Sequence, residues 1–147
     1  MLVLCPKCWN ELKTANTDCP HCGTTVDLSS PKYQRRLLAA LSHANAERRS
    51  QICQVLSFIG DRGAVQALID LLHDPDIFVR VAALRALGEI GDPSSVTAVE
   101  KVTLSQNLIV RAVATAVLKM LMGTPAGQND RDTVMEARSS AIVRGVA

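Results

Sequence analysis

The chain has 147 residues, with 16 basic against 14 acidic side chains, a net charge of +2, 48% hydrophobic residues and only 3% aromatic ones. That length allows one modest domain plus an appendage, and the composition suits a core of Ala, Leu and Val on helices rather than a β-rich fold. So small a net charge gives no dense basic face of the kind that binding to nucleic acid or a membrane normally needs.

Residues 1–29 differ in character from the rest. Met1 to Leu4 is too short an apolar segment for a signal peptide and runs straight into Cys5, which predicts a soluble, cytoplasmic protein. CPKC at Cys5–Cys8 is followed, ten residues on, by CPHCG at Cys19–Gly23. Two CxxC pairs so close together predict one tetrahedral Zn2+ held by Cys5, Cys8, Cys19 and Cys22, each pair forming a tight knuckle. Four thiolates close the coordination shell, so this zinc is structural. The competing redox readings, a pair of disulfides or a thioredoxin-like CxxC, lack a βαβ context. The segment resembles the small zinc ribbons that begin many bacterial and archaeal proteins. Such ribbons usually carry glycine after each CPxC; Gly23 does so, whereas Trp9-Asn10 follows the first knuckle, with Asn10 the expected left-handed residue. Trp9 is expected to pack beside the knuckle, and His21 to be a solvated spacer.

After a short linker, Asp27 to Pro31, the chain repeats itself. Ile59-Gly60-Asp61 returns as Ile90-Gly91-Asp92, a step of 31, and the same step carries Arg48-Arg49 onto Val79-Arg80 and Val110-Arg111. Three copies follow, 30–60, 61–91 and 92–122. Each offers two helix-start residues whose short polar side chains accept from unpaired first amides: Ser30, Asp61 and Asp92, then Asn45, Asp76 and Asn107. Gly60 and Gly91 fall where left-handed caps are wanted, and Gly123 one residue late. Between these signals apolar residues recur at helical spacing, as in Val79, Ala83, Ala86, Leu87 and Ile90. The expected fold is mainly α: a three-repeat α-solenoid of helical hairpins behind an N-terminal ribbon, each hairpin covering a stripe its neighbour cannot bury alone.

The run from His73 to Val96, HDPDIFVRVAALRALGEIGDPSSV, resembles the short HEAT-like repeats of phycobilin lyases and of many bacterial and archaeal proteins. The resemblance spans about Ser30 to Met122. It implies a ladder between neighbouring copies, built from an acid in the inter-helix turn and an arginine six residues later, here Asp74 and Arg80; Arg49, Arg80 and Arg111 share the repeat position, and inter-repeat pairing to Asp61, Asp74 or Asp92 would account for them. It also implies a tetrapyrrole lyase or chaperone activity as one reading. A second resemblance, to the HEAT-like deoxyhypusine hydroxylases, fails on chemistry: their di-iron site needs His-Glu pairs, while His21, His43 and His73 precede Cys22, Ala44 and Asp74. No phosphate loop or hydrolase triad is recognisable.

The first copy concentrates positive charge in Lys32, Arg35, Arg36, Arg48 and Arg49. Beside the ribbon, this supports a second reading, a nucleic-acid accessory protein. Cys53 aligns with Leu84 and Thr115, as a buried small side chain would. In the last copy, Arg111, Thr115 and Lys119 form one narrow polar stripe on an otherwise apolar helix, so something should cover it. The candidates are residues 123–147, with a capping helix over Asp130–Val143, a second copy of the chain in a homo-oligomer, or a partner. The leading expectation is a non-enzymatic adaptor that binds a protein partner through the second helices, at Gln54, Phe58, Phe78, Arg85 and Glu89, with each of the two aromatics either an anchor or packed inside the stack.

Overall fold

The structure, a computed structural model, describes residues 3–13 and 18–123. The expected capping helix over 130–143 lies outside the described residues.

A two-stranded antiparallel hairpin comes first, β1 (Val3–Leu4) paired with β2 (Glu11–Leu12), in the register Val3 to Leu12 and Leu4 to Glu11. Six α-helices follow: α1 (Pro31–Ala40), α2 (Ala46–Ile59), α3 (Val65–Asp70), α4 (Ile77–Ile90), α5 (Val96–Val102) and α6 (Leu108–Gly123). They pair as three hairpins, and the second helices stack α2 on α4 on α6.

The start signals act as their chemistry requires. Ser30 accepts from the Lys32 amide, Asn45 from those of Glu47 and Arg48, and Asp76 from those of Phe78 and Val79. Asp61 and Asp92 also cap, but what they start is a 3-10 turn, Arg62–Ala64 and Pro93–Ser95, which leads into the short α3 and α5. First helices of copies two and three are therefore shorter than the ten or so residues the periodicity implies. Gly60 and Gly91 end α2 and α4 with φ of 73° and 64°. Gly123, by contrast, is simply the last residue of α6.

Helix α4 lies between two neighbours and is buried on most sides, through Val79, Ala82, Ala83, Leu84, Ala86, Leu87, Gly88 and Ile90. An apolar surface running most of the way round marks a helix enclosed by others. At Gly88 a Cβ would stand 3.1 Å from Val117 Cγ1, so the missing side chain lets α4 and α6 approach closely.

One core runs from Val3 to Leu121 through the described residues. Ribbon residues Val3, Leu4, Leu12, Val26 and Leu28 join Tyr33, Leu37 and Ile52 of the first hairpin in the cluster that continues to Val117 and Leu121. A ribbon this small cannot bury enough surface to fold alone, so the shared core supports it. Among the described residues no helix is long and apolar enough to cross a membrane.

Candidate metal centre and partner surface

The two knuckles are built alike. In the first, the Trp9 amide donates to the Cys5 carbonyl at 2.9 Å and the Cys5 amide to the Asn10 carbonyl at 3.0 Å. In the second, Gly23 donates to Cys19 at 2.8 Å and Cys19 to Thr24 at 2.9 Å. Closing such a turn requires a left-handed residue after each second cysteine. Gly23 has φ 68°, and Trp9 rather than Asn10 takes the same role with φ 60°. The expectation for Asn10 is thus corrected: Asn10 uses its side-chain amide to donate to Cys8 Sγ at 3.3 Å. Thr24 occupies the matching place, with Oγ1 3.4 Å from Cys22 Sγ.

A left-handed tryptophan costs roughly 1–2 kcal/mol, and its surroundings offset that. Trp9 is half-buried against the core, and its carbonyl accepts from Arg48 Nη1 at 2.6 Å.

The knuckles bring Cys5, Cys8, Cys19 and Cys22 together, with all four Sγ atoms within 4.8 Å of one another. Cys5 to Cys22 measures 3.5 Å and Cys8 to Cys19 3.6 Å. A tetrahedral ion bound at about 2.3 Å per sulfur sets sulfurs about 3.8 Å apart, so the arrangement fits a metal such as zinc. The chemistry of the donors agrees. Hydrogen bonds from the Thr24 side chain and amide hold Cys22 down at about 6, and the Asn10 amide and side chain lower Cys8. Burial pushes Cys5 up to about 11. Such a thiol resists ionising until a cation compensates it. His21 is exposed. The fifth cysteine, Cys53, is buried and pushed up to about 12 by that burial, so it is a packing residue and a poor nucleophile.

The arginines expected in inter-repeat pairing have three different fates. Arg49 of the first repeat meets Asp74 of the second with two parallel bonds, Nε to Oδ2 at 2.8 Å and Nη2 to Oδ1 at 2.9 Å. Asp74 therefore pairs with the arginine one repeat back and not with Arg80. Arg80 Nε is buried with no hydrogen-bond partner among the described residues. The reason is a substitution: stepping Asp74 forward by one repeat lands on Ser105. Arg111 is exposed. His43, Asp74 and Ser105 share the local task, each accepting from the backbone amide two residues on, at 3.0, 2.9 and 3.3 Å.

Of the expected partner residues, Gln54, Arg85 and Glu89 are exposed and Phe78 is 74% exposed. Phe58 differs: it is half-buried and packs back against the core, so it is no projecting anchor. Missed from the sequence were the bonds joining ribbon to solenoid. Tyr33 Oη donates to the buried Leu4 carbonyl at 3.0 Å, and Gln51 Nε2 to Glu11 Oε1 at 3.2 Å. They link positions 29 and 40 apart, and no local pattern signals them.

With this geometry in view, a family model described as HEAT repeats matches residues 35–119, more than half of the chain. A search of curated proteins returned no match.

Proposed function

Because the chain belongs to the HEAT-repeat family, we propose that it is a non-enzymatic adaptor: a zinc-bound ribbon fused to a short solenoid that holds a partner protein on the exposed side of its second helices. The observation that carries this reading is the stripe of Phe78, Arg85 and Glu89 on α4, left exposed while the other residues of that helix are buried or half-buried. An aromatic side chain left 74% exposed on a rigid helix is a typical binding anchor. Affinity capture from the native host tests it. The parent retains a partner that the Phe78→Ala, Arg85→Ala double variant loses; equal retention by both would reject this face.

A second reading has one observation in its favour. A groove of about 310 Å³ between the second knuckle and α1 is lined by Lys7, Lys32 and Arg36, with Asp27 the one acid. These cations suit a phosphate backbone. The rest of the first-repeat charge is spent on structure, since Arg48 is bound to Trp9, Arg49 to Asp74, and Arg35 to the Pro31 carbonyl. Retention on RNA or DNA that weakens steeply with added salt would support it. The lyase or chaperone reading implied by the phycobilin-lyase resemblance is tested by a spectroscopic titration with a bilin, and fold likeness alone is weak warrant for it.

A further inference from the structure

The step of 31 that builds the solenoid also arranges its exposed side. On successive second helices it aligns Glu47, Phe78 and Ile109 in one row, and Gln54, Arg85 and Ala116 in the next, all exposed. The first row is graded in chemistry. It begins at an acid, passes Phe78 and ends at Ile109, which is 61% exposed.

At its acidic end the row opens into a groove of about 520 Å³ between the ribbon hairpin, α2 and the start of α4. Glu11, Glu47 and Asp76 line it with Ser50, Gln54 and Phe78, and no cationic side chain is among the lining residues. Two of the acids each commit a single oxygen to the protein. Asp76 Oδ1 caps α4, and Glu11 Oε1 accepts from Gln51. The groove thus carries a net negative charge that suits a cation, with Arg48 set on the adjoining hollow beside Glu11 and Glu47.

Resting on the adaptor reading, we propose that this row receives an extended, polyproline-II-like segment of the partner protein with an arginine or lysine at its first position and large apolar residues at its fourth and seventh. The spacing follows from geometry. Packed helices lie about 8–10 Å apart, so neighbouring residues of the row are separated by about that distance. A polyproline-II chain turns once every three residues and rises about 3.1 Å per residue, which puts every third side chain on the same face roughly 9 Å further on. A β-strand returns to the same face every second residue, at about 6.6 Å, and falls out of step with the helices. The basic residue enters the groove, the fourth residue lies on Phe78 and the seventh on Ile109. Such recognition uses a pre-extended ligand that loses little conformational freedom on binding.

The test uses the intact zinc-loaded protein and fluorescence anisotropy. The probe is a labelled peptide with arginine first, leucine fourth and seventh, and proline between; one control replaces the arginine by glutamate and another moves the leucines to the third and fifth positions. The probe binds saturably, and each control binds about tenfold or more weakly. Phe78→Ala, Ile109→Ser and the Glu11→Gln, Glu47→Gln pair each weaken the probe to a similar degree. All are exposed positions, and circular dichroism verifies that each variant is folded. Equal binding of any control, or no saturable binding of the probe, overturns the inference. If the peptides fail while partner capture still depends on Phe78 and Arg85, the adaptor reading survives and only this ligand chemistry falls.

Discussion

The Asp74 carboxylate serves two purposes at once: it accepts the Asp76 amide within its own turn and both prongs of the Arg49 guanidinium from the repeat before. Their side chains are only 5% and 11% exposed. Burial alone would raise the Asp74 carboxyl, but the Arg49 guanidinium and the Asp76 amide overcome that and hold it below the usual carboxylate range. Removing one partner of such a pair leaves the other charge buried, so Asp74→Ala should lower unfolding stability by about 3 kcal/mol in a urea titration. The pH dependence follows from the sign of the shift. A depressed folded value means the pair contributes in full above the unfolded value of about 3.9 and is lost as pH falls through the folded one. Asp74→Asn should therefore show a shallower loss of stability than the parent below about pH 4. Arg80 gives the converse case. Ser105→Asp keeps an acceptor for the Asn107 amide and brings a carboxylate to the register position that pairs Arg49, so it should raise stability by about 1 kcal/mol, read as a higher denaturation midpoint. The residue pattern made Asp74 and the arginines conspicuous, yet it could not choose their pairing, because partner choice depends on how neighbouring turns face each other in space.

At the scale of elements, the ribbon and the first hairpin are joined by a few bonds of long sequence separation. Tyr33 is buried and pushed up to about 12 chiefly by that burial, and its hydroxyl is the donor recorded for the Leu4 carbonyl. Tyr33→Phe should cost about 1–2 kcal/mol, measured as a lower melting temperature, because a buried carbonyl loses its donor. The helices themselves were legible, since capping residues and apolar spacing restate the same hairpin three times. The knuckle was only partly so. Four cysteines announce their own cluster, but asparagine tolerates left-handed backbone better than tryptophan, and only the hydrogen-bond frame shared with the Gly23 knuckle shows that Trp9 must take that conformation. Phe58 shows the same limit, because periodicity cannot tell a ring that projects from one that lies flat on the core.

For the whole molecule, the ribbon that carries the cysteine cluster and the solenoid share one core, so the loss of an ion bound there should reach beyond the ribbon. Trp9 is the chain's sole tryptophan and sits half-buried beside the knuckle, which makes it a local reporter. Titrating a zinc chelator into the metal-loaded protein should red-shift Trp9 emission first. The helical circular dichroism should persist at low temperature, with its thermal transition moved down. Zinc contributes on the order of 10 kcal/mol to isolated ribbon-sized peptides, and an ion at the four cysteines would pass part of that support to the first hairpin through Leu4, Tyr33 and Leu37. Loss of all helical signal at the same chelator concentration as the emission shift would show instead that ribbon and solenoid unfold as one unit.

The unequal arginines also decide how each joint is held. Between the first and second repeats Arg49 and Asp74 act as a bolt, whereas at the next joint no carboxylate among the described residues pairs with Arg80 and α4 meets α6 through apolar packing that includes the close seat of Gly88 against Val117. The two joints thus differ in kind, one fastened by charge and the other by close apolar packing, and the row from Glu47 through Phe78 to Ile109 keeps its spacing by a different means at each step.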